Sequence, residues 1–527
     1  MNGSSLYAIA AGGIFLVCFL VQARTTLTKW AKPMSVLFSQ HLALPVLLRR
    51  HRIVGPWSRL GFLAHVTYVA INGTVVFFRP HSLSETGRRA GELALVNLMY
   101  PLAAAHLGSL ADHLGISWRT CCQIHRATGW MSIALLSFHI IVEVQREGFT
   151  FPLDHTRNLF TLISTTSIGF LVILSISRIR RWSYEIFLRG HQLMTGIFIY
   201  GIWRHLPNHG GPPKLYLYVG LATLVLNTGL ETVSFLYRNG LFSGHGTPRA
   251  LVSFSPEGTF AHSKSRVAIL IRVVLPRPIK FEAGQYVSLW MPSMGRWSWT
   301  QTHPFIVTSW SRGNLDNIEL LVQPRRGMTA DLLRLARSAS GHPVSFPALF
   351  TGPHGTSQSV DQYETVLLIA TGFGIAATIP YLKKMIHGHN TCTLQVRRIH
   401  LVWQVETLDM VQAAESLLNP LLQDDILDKG YILHISIYVA NGLAQDKTPI
   451  GRHQRACYYQ GTPDFENIVA VEASGDRIER LPGIQDEQGR TLVMVSAAEF
   501  TRDNIRKNVR QVLHHGVELM ELEYQPS

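Results

Sequence analysis

Four histidines in two apolar segments carry the first chemistry legible in this chain. His125 and His139 stand fourteen residues apart in a segment that begins Ile124-His-Arg-Ala-Thr-Gly-Trp130, and His191 and His205 stand fourteen apart after Tyr184-Glu-Ile-Phe-Leu-Arg-Gly. On a helix that separation rises about 21 Å, most of a hydrocarbon core, and turns through roughly 1400°, within about 40° of four whole turns. Each pair therefore shares a helix face. If the two helices face each other, His125 with His191 and His139 with His205 make an inner and an outer pair of neutral imidazoles, each able to ligate one haem iron axially. Polar groups at this depth are expensive and mark function. Wet interfacial histidines near helix starts are the plainer alternative; that accounts for His125 or His191 singly, but not for matched spacings in both helices.

The elements that must position these residues are membrane helices. The chain has 527 residues, 47% hydrophobic, with its apolar runs confined to the first half. Seven spans are expected, at Leu6 to Val21 and about 60–79, 92–110, 125–145, 157–178, 188–206 and 214–237. The first run is read as a span with its N-terminus outside, since Arg24, Lys29 and Lys32 follow it and no basic region precedes it as in a signal peptide. Lys and Arg are dense after span one, at Arg119 and Arg126 before span four, and at Arg178, Arg180, Arg181 and Arg189 between spans five and six, with Arg79, Arg88 and Arg89 blurring the asymmetry. The positive-inside rule then puts the C-terminal half in the cytosol. Arg119, Arg126 and Arg189 are either haem propionate partners or plain positive-inside charges.

The net charge of +14, from 48 Lys and Arg against 34 Asp and Glu, follows from those membrane-flanking clusters, so no nucleic-acid partner is expected. Five cysteines, Cys18, Cys121, Cys122, Cys392 and Cys457, form neither a zinc pattern nor a disulfide framework. Asn2-Gly-Ser4 fits a glycosylation sequon but crowds the membrane, and Asn72-Gly-Thr74 falls inside a span.

Beyond a polar connector at 239–250 the pattern becomes that of a soluble protein. Short β-type runs at Arg266 to Leu275, Tyr286 to Met291 and Asn317 to Val322, separated by Pro and Gly turns, point to a small antiparallel barrel. It holds Ala283-Gly-Gln-Tyr-Val287, Thr302-His-Pro-Phe-Ile-Val-Thr-Ser309, Arg326-Gly-Met-Thr329 and Phe350-Thr-Gly-Pro-His-Gly355. From about 362 strands and helices alternate. Glu364 to Ile375 reads as a buried strand running into a glycine turn and a helix from about Ala376, the kind of turn that lets backbone approach a pyrophosphate at a helix N-terminus. Strands at His400 to Val405, Ile432 to Val439 and Thr491 to Ser496 complete a doubly wound parallel sheet.

Taken together, Arg88-Arg-Ala-Gly-Glu-Leu-Ala-Leu, the two histidine pairs, Tyr184-Glu-Ile-Phe, His303-Pro-Phe and Thr371-Gly-Phe-Gly-Ile-Ala-Ala-Thr-Ile-Pro380 resemble the fungal ferric reductase family, relatives of the transmembrane NADPH oxidases, over nearly the whole chain. The resemblance implies a bis-haem membrane helical bundle at 1–240, an antiparallel β-barrel FAD domain at 247–360 and a ferredoxin reductase-like α/β nicotinamide-binding domain at 361–527. It implies that NADPH reduces FAD and that electrons pass singly through two b-type haems to an extracytoplasmic acceptor, usually chelated ferric or cupric ion. For FAD it implies Gly284, Gln285, Tyr286, the run His303, Pro304, Phe305, Ile306, Val307, Thr308 and Ser309, and Gly327, Met328 and Thr329 near the flavin phosphates. For NADP it implies Thr371, Gly372, Phe373, Gly374, Ile375, Ser496 and Ala497; no residue is assigned as catalytic. A flavin suits this route, since it can split a hydride's electron pair for one-electron carriers. Outward electron movement is also favoured by a negative-inside potential, by about 2.3 kcal/mol per charge per 100 mV.

Several positions depart from the family. Thr371 stands where a first glycine is common, Ser496-Ala497-Ala498 replaces a Cys-Gly-Pro motif, and Thr462 in Gly461-Thr-Pro-Asp464 replaces an arginine that bears on NADPH over NADH. His354 and Ile306 replace a tyrosine and a threonine. The expected function is metalloreduction in a multi-pass membrane, the plasma membrane, for iron or copper uptake. The competing readings are a superoxide-forming oxidase, a reductase of an organic acceptor in specialised metabolism, and a non-catalytic membrane regulator that has lost hydride transfer.

Overall fold

A computed structural model describes residues 12–13, 37–48, 56–148, 155–207, 211–242, 244, 246–254, 268–295, 298–325, 327–338, 343–426, 431–441, 447–450, 454–478 and 489–523. The chain divides into two compact units, Met1–Glu231 and Thr232–Ser527. The expected first span and the Asn2 sequon lie outside the described residues, apart from Gly12 and Gly13.

The first unit is helical: α1 Arg59–Phe77, α2 Leu83–Ala103, α3 Leu107–Leu114, α4 Trp118–Glu147, α5 Thr156–Leu174, α6 Ser177–Trp182, α7 Tyr184–His205 and α8, which begins at Pro212 and runs to Arg238. Serine starts four of them. The hydroxyls of Ser58, Ser82, Ser117 and Ser183 accept from N–H groups in the first turns of α1, α2, α4 and α7, satisfying donors that a helix start leaves unpaired. Among the described residues five helical stretches are long and apolar enough to cross a membrane: Arg59–Phe77, Leu83–Leu114, Trp118–Arg146, Thr156–Leu174 and Pro212–Arg238. The helix at the sixth expected span, α7, is long enough but carries too much polarity to join that set.

Helix α2 packs along α4, and α5 along α7. Small residues permit the first contact: a Cβ on Gly87 would lie 2.6 Å from Val142, and Ala90 and Ala94 are fully buried beside it. The arginines that blurred the charge asymmetry are neutralised within α2, Arg88 by Glu92 at 2.5 Å and Arg89 by Glu85 at 2.7 Å. Asn72 is buried, bonded to Tyr68 and Asn97, which removes its sequon from solvent.

The second unit holds two architectures. Strands β1 Arg249–Phe254, β2 Ile269–Ile279, β3 Tyr286–Trp290, β4 His303–Ile306, β5 Leu315–Val322, β6 Val344–Pro347 and β7 Leu349–His354 form antiparallel sheets in the orders β5-β2-β1-β6 and β4-β3-β7. Alternate residues of β2 (Ile269, Ile271, Val273) meet Leu289, Phe305, Ile318, Leu320 and Phe350 in one core. Helix α9 Met328–Ser338 lies among them in sequence.

The rest is a parallel sheet: β8 Thr365–Thr371, α10 Ile375–Asn390, β9 Arg398–Val405, α11 Leu408–Asp424, β10 Leu433–Val439, β11 Lys447–Ile450, β12 Ala456–Gln460, α12 Phe465–Ser474, β13 Thr491–Ser496, α13 Glu499–Val512 and β14 Val517–Glu521. The strand order is β11-β12-β10-β9-β8-β13-β14, with only the edge strand β11 antiparallel. The central strands β8 and β13 are buried almost throughout, the signature of a sheet covered on both faces.

Candidate functional site

In the helical unit, His125 on α4 and His191 on α7 face each other with ring centroids 6.3 Å apart, and the Nδ1 atom of each is buried without a hydrogen-bond partner among the described residues. Two imidazoles bound to one metal at about 2 Å each, with the ring centre ~1 Å behind the nitrogen, put their centroids roughly 6 Å apart. The spacing suits an ion between them.

The other two histidines are held differently. His139 Nδ1 lies 3.0 Å from the carbonyl of Gly87, which can only accept, so the nitrogen carries the proton. His205 Nδ1 lies 2.7 Å from Thr161 Oγ1, whose own proton goes to the Arg157 carbonyl at 2.9 Å, so His205 Nδ1 also donates. Both rings are thus in the tautomer that leaves Nε2 as a lone pair, the form a metal requires, and each is oriented by its neighbour. Gly91 makes room for one of them: a Cβ there would stand 3.2 Å from the His139 ring.

In the barrel, the motif His303 to Ser309 divides by role. Phe305 and Val307 fill the core, Ile306 is buried, and Thr308 Oγ1 donates to the Glu319 carbonyl at 2.9 Å while Ser309 Oγ accepts from Glu319 N at 3.0 Å. Those two hydroxyls serve the joint with β5. His303 Nε2, in contrast, is buried and unpaired, and burial holds the imidazole below its usual range and therefore neutral. Gln285 uses both ends of its amide to tie its turn together, accepting from Glu282 N at 2.8 Å and donating to the Gly355 carbonyl at 3.3 Å. Gly284, at φ +90, abuts Tyr381: a Cβ would lie 2.5 Å from its hydroxyl. Tyr286 packs against His354, whose Nε2 is 3.1 Å from Thr351 Oγ1. Gly327, at φ +76, turns the chain into α9, whose first turn at Met328 and Thr329 presents N–H groups suited to an anion; Thr329 Oγ1 accepts from Arg325 N at 2.8 Å. Arg326 lies outside the described residues.

In the sheet, successive connections from β8 run outward through β9 and β10, while β13 and β14 lie on the other side, so the strand order reverses between β8 and β13. Ligands of doubly wound sheets bind at the carboxyl ends of strands at such a point. There Gly372, at φ +53, Phe373 and Gly374 turn into α10 at Ile375, and Ser496 and Ala497 end β13. A Cβ on Gly374 would lie 2.0 Å from the Ser496 carbonyl, so this glycine is required by the neighbouring strand, whatever approaches from outside. The sequence pattern read it as room for a phosphate; its first duty is internal packing. Ser496 Oγ is fully buried and unpaired.

Two features escaped sequence reasoning. The Thr371 hydroxyl accepts from Ala498 N at 2.7 Å. The other is a partly buried cluster in which Arg398 grips buried Glu472 with two bonds at 2.6 and 2.8 Å while His400 bridges Glu472 and Ser436 at 2.8 and 2.9 Å. Neither has a local sequence signal, because the partners are far apart in the chain. Among the described residues no group of three or more His, Cys, Asp or Glu is arranged to hold a metal ion.

Comparison with known proteins gives three matched domains: a ferric reductase like transmembrane component over residues 90–202, an FAD-binding domain over 263–358 and a ferric reductase NAD binding domain over 363–517. The chain is 26% identical over 283 residues to ferric reductase transmembrane component 4 of Saccharomyces cerevisiae, covering 53% of this chain and 35% of that protein. It is 24% identical over 336 residues to component 3 of the same yeast, covering 62% and 43%. The probable cell surface ferric reductase kap2 of Aspergillus oryzae is 23% identical over 345 residues, covering 61% and 44%. The chain spans less than half the length of these relatives.

Proposed function

We propose that this chain, which belongs with the fungal ferric reductase transmembrane components by its three domains and its homologues, is a transmembrane metalloreductase. It takes electrons from NADPH on the cytosolic side and delivers them to an extracytoplasmic acceptor, chelated ferric or cupric ion, for metal uptake across the plasma membrane. When bound, FAD supplies the change from a two-electron donor to single electrons, and two b-type haems supply single-electron carriage across the bilayer. In this reading α7 is a further span, and the histidines it carries are part of its polarity.

The observation that carries the proposal is the state of the four histidines. His125 and His191 sit at the spacing of two imidazoles on one iron, and among the described residues nothing pairs their Nδ1 atoms. His139 and His205 are each fixed by a donated Nδ1 proton with Nε2 left free. A purely structural histidine in a membrane helix needs no such preparation. In the barrel, His303 Nε2 and the first turn of α9 are the groups suited to hold a flavin, while Gln285, Thr308 and Ser309 shape the strands beneath. In the sheet, the Gly372–Gly374 turn and Ser496–Ala497 would flank the nicotinamide.

The test is a difference spectrum of membranes holding the chain, taken anaerobically. Reduced b-type bands are expected with NADPH as well as with dithionite, and ferric citrate should bleach them. Absence of the bands even with dithionite would overturn the haem assignment; bands with dithionite alone would leave the haems and remove the NADPH route.

A further inference from the structure

The carboxyl ends of β8 and β13 are joined by a bond from a side chain. The ladder between these strands ends at the pair Ala370 and Ser496, so the next backbone groups have no strand partner across the gap. Thr371, the last residue of β8, fills it: its Oγ1 accepts the N–H of Ala498 at 2.7 Å, across 127 residues of chain. The same segment is held from its other side. Arg502 Nη2 donates to the Ala497 carbonyl at 3.2 Å, and Arg502 N closes the first turn of α13 on the Ala498 carbonyl at 2.9 Å. Beneath it, Gly374 presses so close that a Cβ would strike the Ser496 carbonyl. Ser496–Ala498 is therefore held by three residues, Thr371, Arg502 and Gly374, of which Thr371 belongs to the strand across the switch point.

The two residues of this latch are also two of the departures from the family pattern. Thr371 stands where glycine is common, and Ala498 stands at the proline of the Cys-Gly-Pro motif. Proline has no N–H to give and glycine no hydroxyl to receive one. Here both a donor and an acceptor are present and they meet, so each substitution supplies what the other needs.

We propose that Thr371 is a positioning residue for the nicotinamide, its hydroxyl fixing the Ser496–Ala498 wall of the cleft against the glycine turn. This rests on the reading of the sheet as the nicotinamide domain of a reductase. It adds that the altered motif is a working substitute for the family's, held in place by a different bond.

The full chain in detergent tests it, with Thr371→Val, Thr371→Ser and the pair Thr371→Gly with Ala498→Pro. The readouts are equilibrium binding of NADP+ and NAD+, flavin reduction at saturating NADPH in stopped flow, and bound flavin with the dithionite-reduced haem spectrum as controls. Thr371→Val should weaken nucleotide binding or slow flavin reduction about tenfold, as expected for one lost hydrogen bond, with both controls unchanged. Thr371→Ser should stay within about twofold of the parent, since it keeps the acceptor. The double variant should recover most of what Thr371→Val loses. The proposal is overturned if Thr371→Val matches the parent, if Thr371→Ser is as impaired as Thr371→Val, or if flavin is lost along with binding. A parent chain that binds nucleotide but does not reduce flavin would defeat the reductase reading while leaving the latch to be judged on binding; a parent that binds neither nucleotide defeats both.

Discussion

Two partly buried histidine clusters in this molecule look alike by residue type and differ in one respect. In the sheet, His400 lies between Ser436 and Glu472 at 2.9 and 2.8 Å, the order of a nucleophile, base and orienting acid, yet Glu472 is also gripped by Arg398 and every one of these bonds is internal. In the helical unit, His125 and His191 face each other with Nδ1 atoms that no described residue pairs. Satisfied buried polarity holds a fold together, and unsatisfied buried polarity marks a place prepared for something else. The first cluster is the clamp between β9, β10 and α12, at the amino-terminal side of the sheet and away from the switch point. The second is the proposed inner haem site.

The sharpest way to break that contrast is to remove one histidine from each. His125→Ala should abolish the inner site and remove about half of the dithionite-reduced haem absorbance, with flavin retained. His400→Ala should leave that absorbance unchanged. An unaltered spectrum in His125→Ala would erase the distinction.

Next in size is Glu472→Gln, which leaves Arg398 buried without its carboxylate and should cost about 3–5 kcal/mol of stability in the sheet domain, read by denaturant unfolding, again with normal haem bands. Acid should act on the same cluster. Arg398 and His400 outweigh burial and hold Glu472 down to about 2 from an ordinary 4.5, so its contribution is present above about pH 4.5 and is lost as pH falls toward 2. His434 beside it is held near 4 by burial, so stability should begin to fall already below about pH 6.5. Unfolding that is flat from pH 7 to pH 3 would contradict both.

The smallest effect is expected at the outer pair. Thr161→Val removes the acceptor that fixes the His205 tautomer and should weaken haem retention at that site about tenfold, read as loss of the b-type bands on dilution, while His125 and His191 keep theirs. Equal loss at both sites would mean that the orienting bond is incidental.

Much of this was legible in the chain because helical and strand periodicities are local. Fourteen-residue spacing placed the histidines on common faces, and Thr365–Thr371 and Thr491–Ser496 emerged as strands close to their expected bounds. Strands β1, β4, β6, β7, β11, β12 and β14 were not anticipated, being short and lacking an uninterrupted apolar run. Among the described residues the span pattern is carried by five stretches, with α7 falling short in apolarity because histidine, arginine and glutamate interrupt it.

What sequence alone determined is the inventory: which residues could hold a haem, a flavin or a nicotinamide, and in what order along the chain. What only the tertiary structure decided is which polar atoms are already taken. Gln285, Thr308 and Ser309 belong to a cofactor motif by type, yet their bonds are made to the barrel itself. Gly374 is held by a strand from a distant part of the chain, and Thr371 meets Ala498 across the same gap. Hydrogen-bond satisfaction depends on neighbours in space, and no periodicity of residue types along a chain records who those neighbours will be.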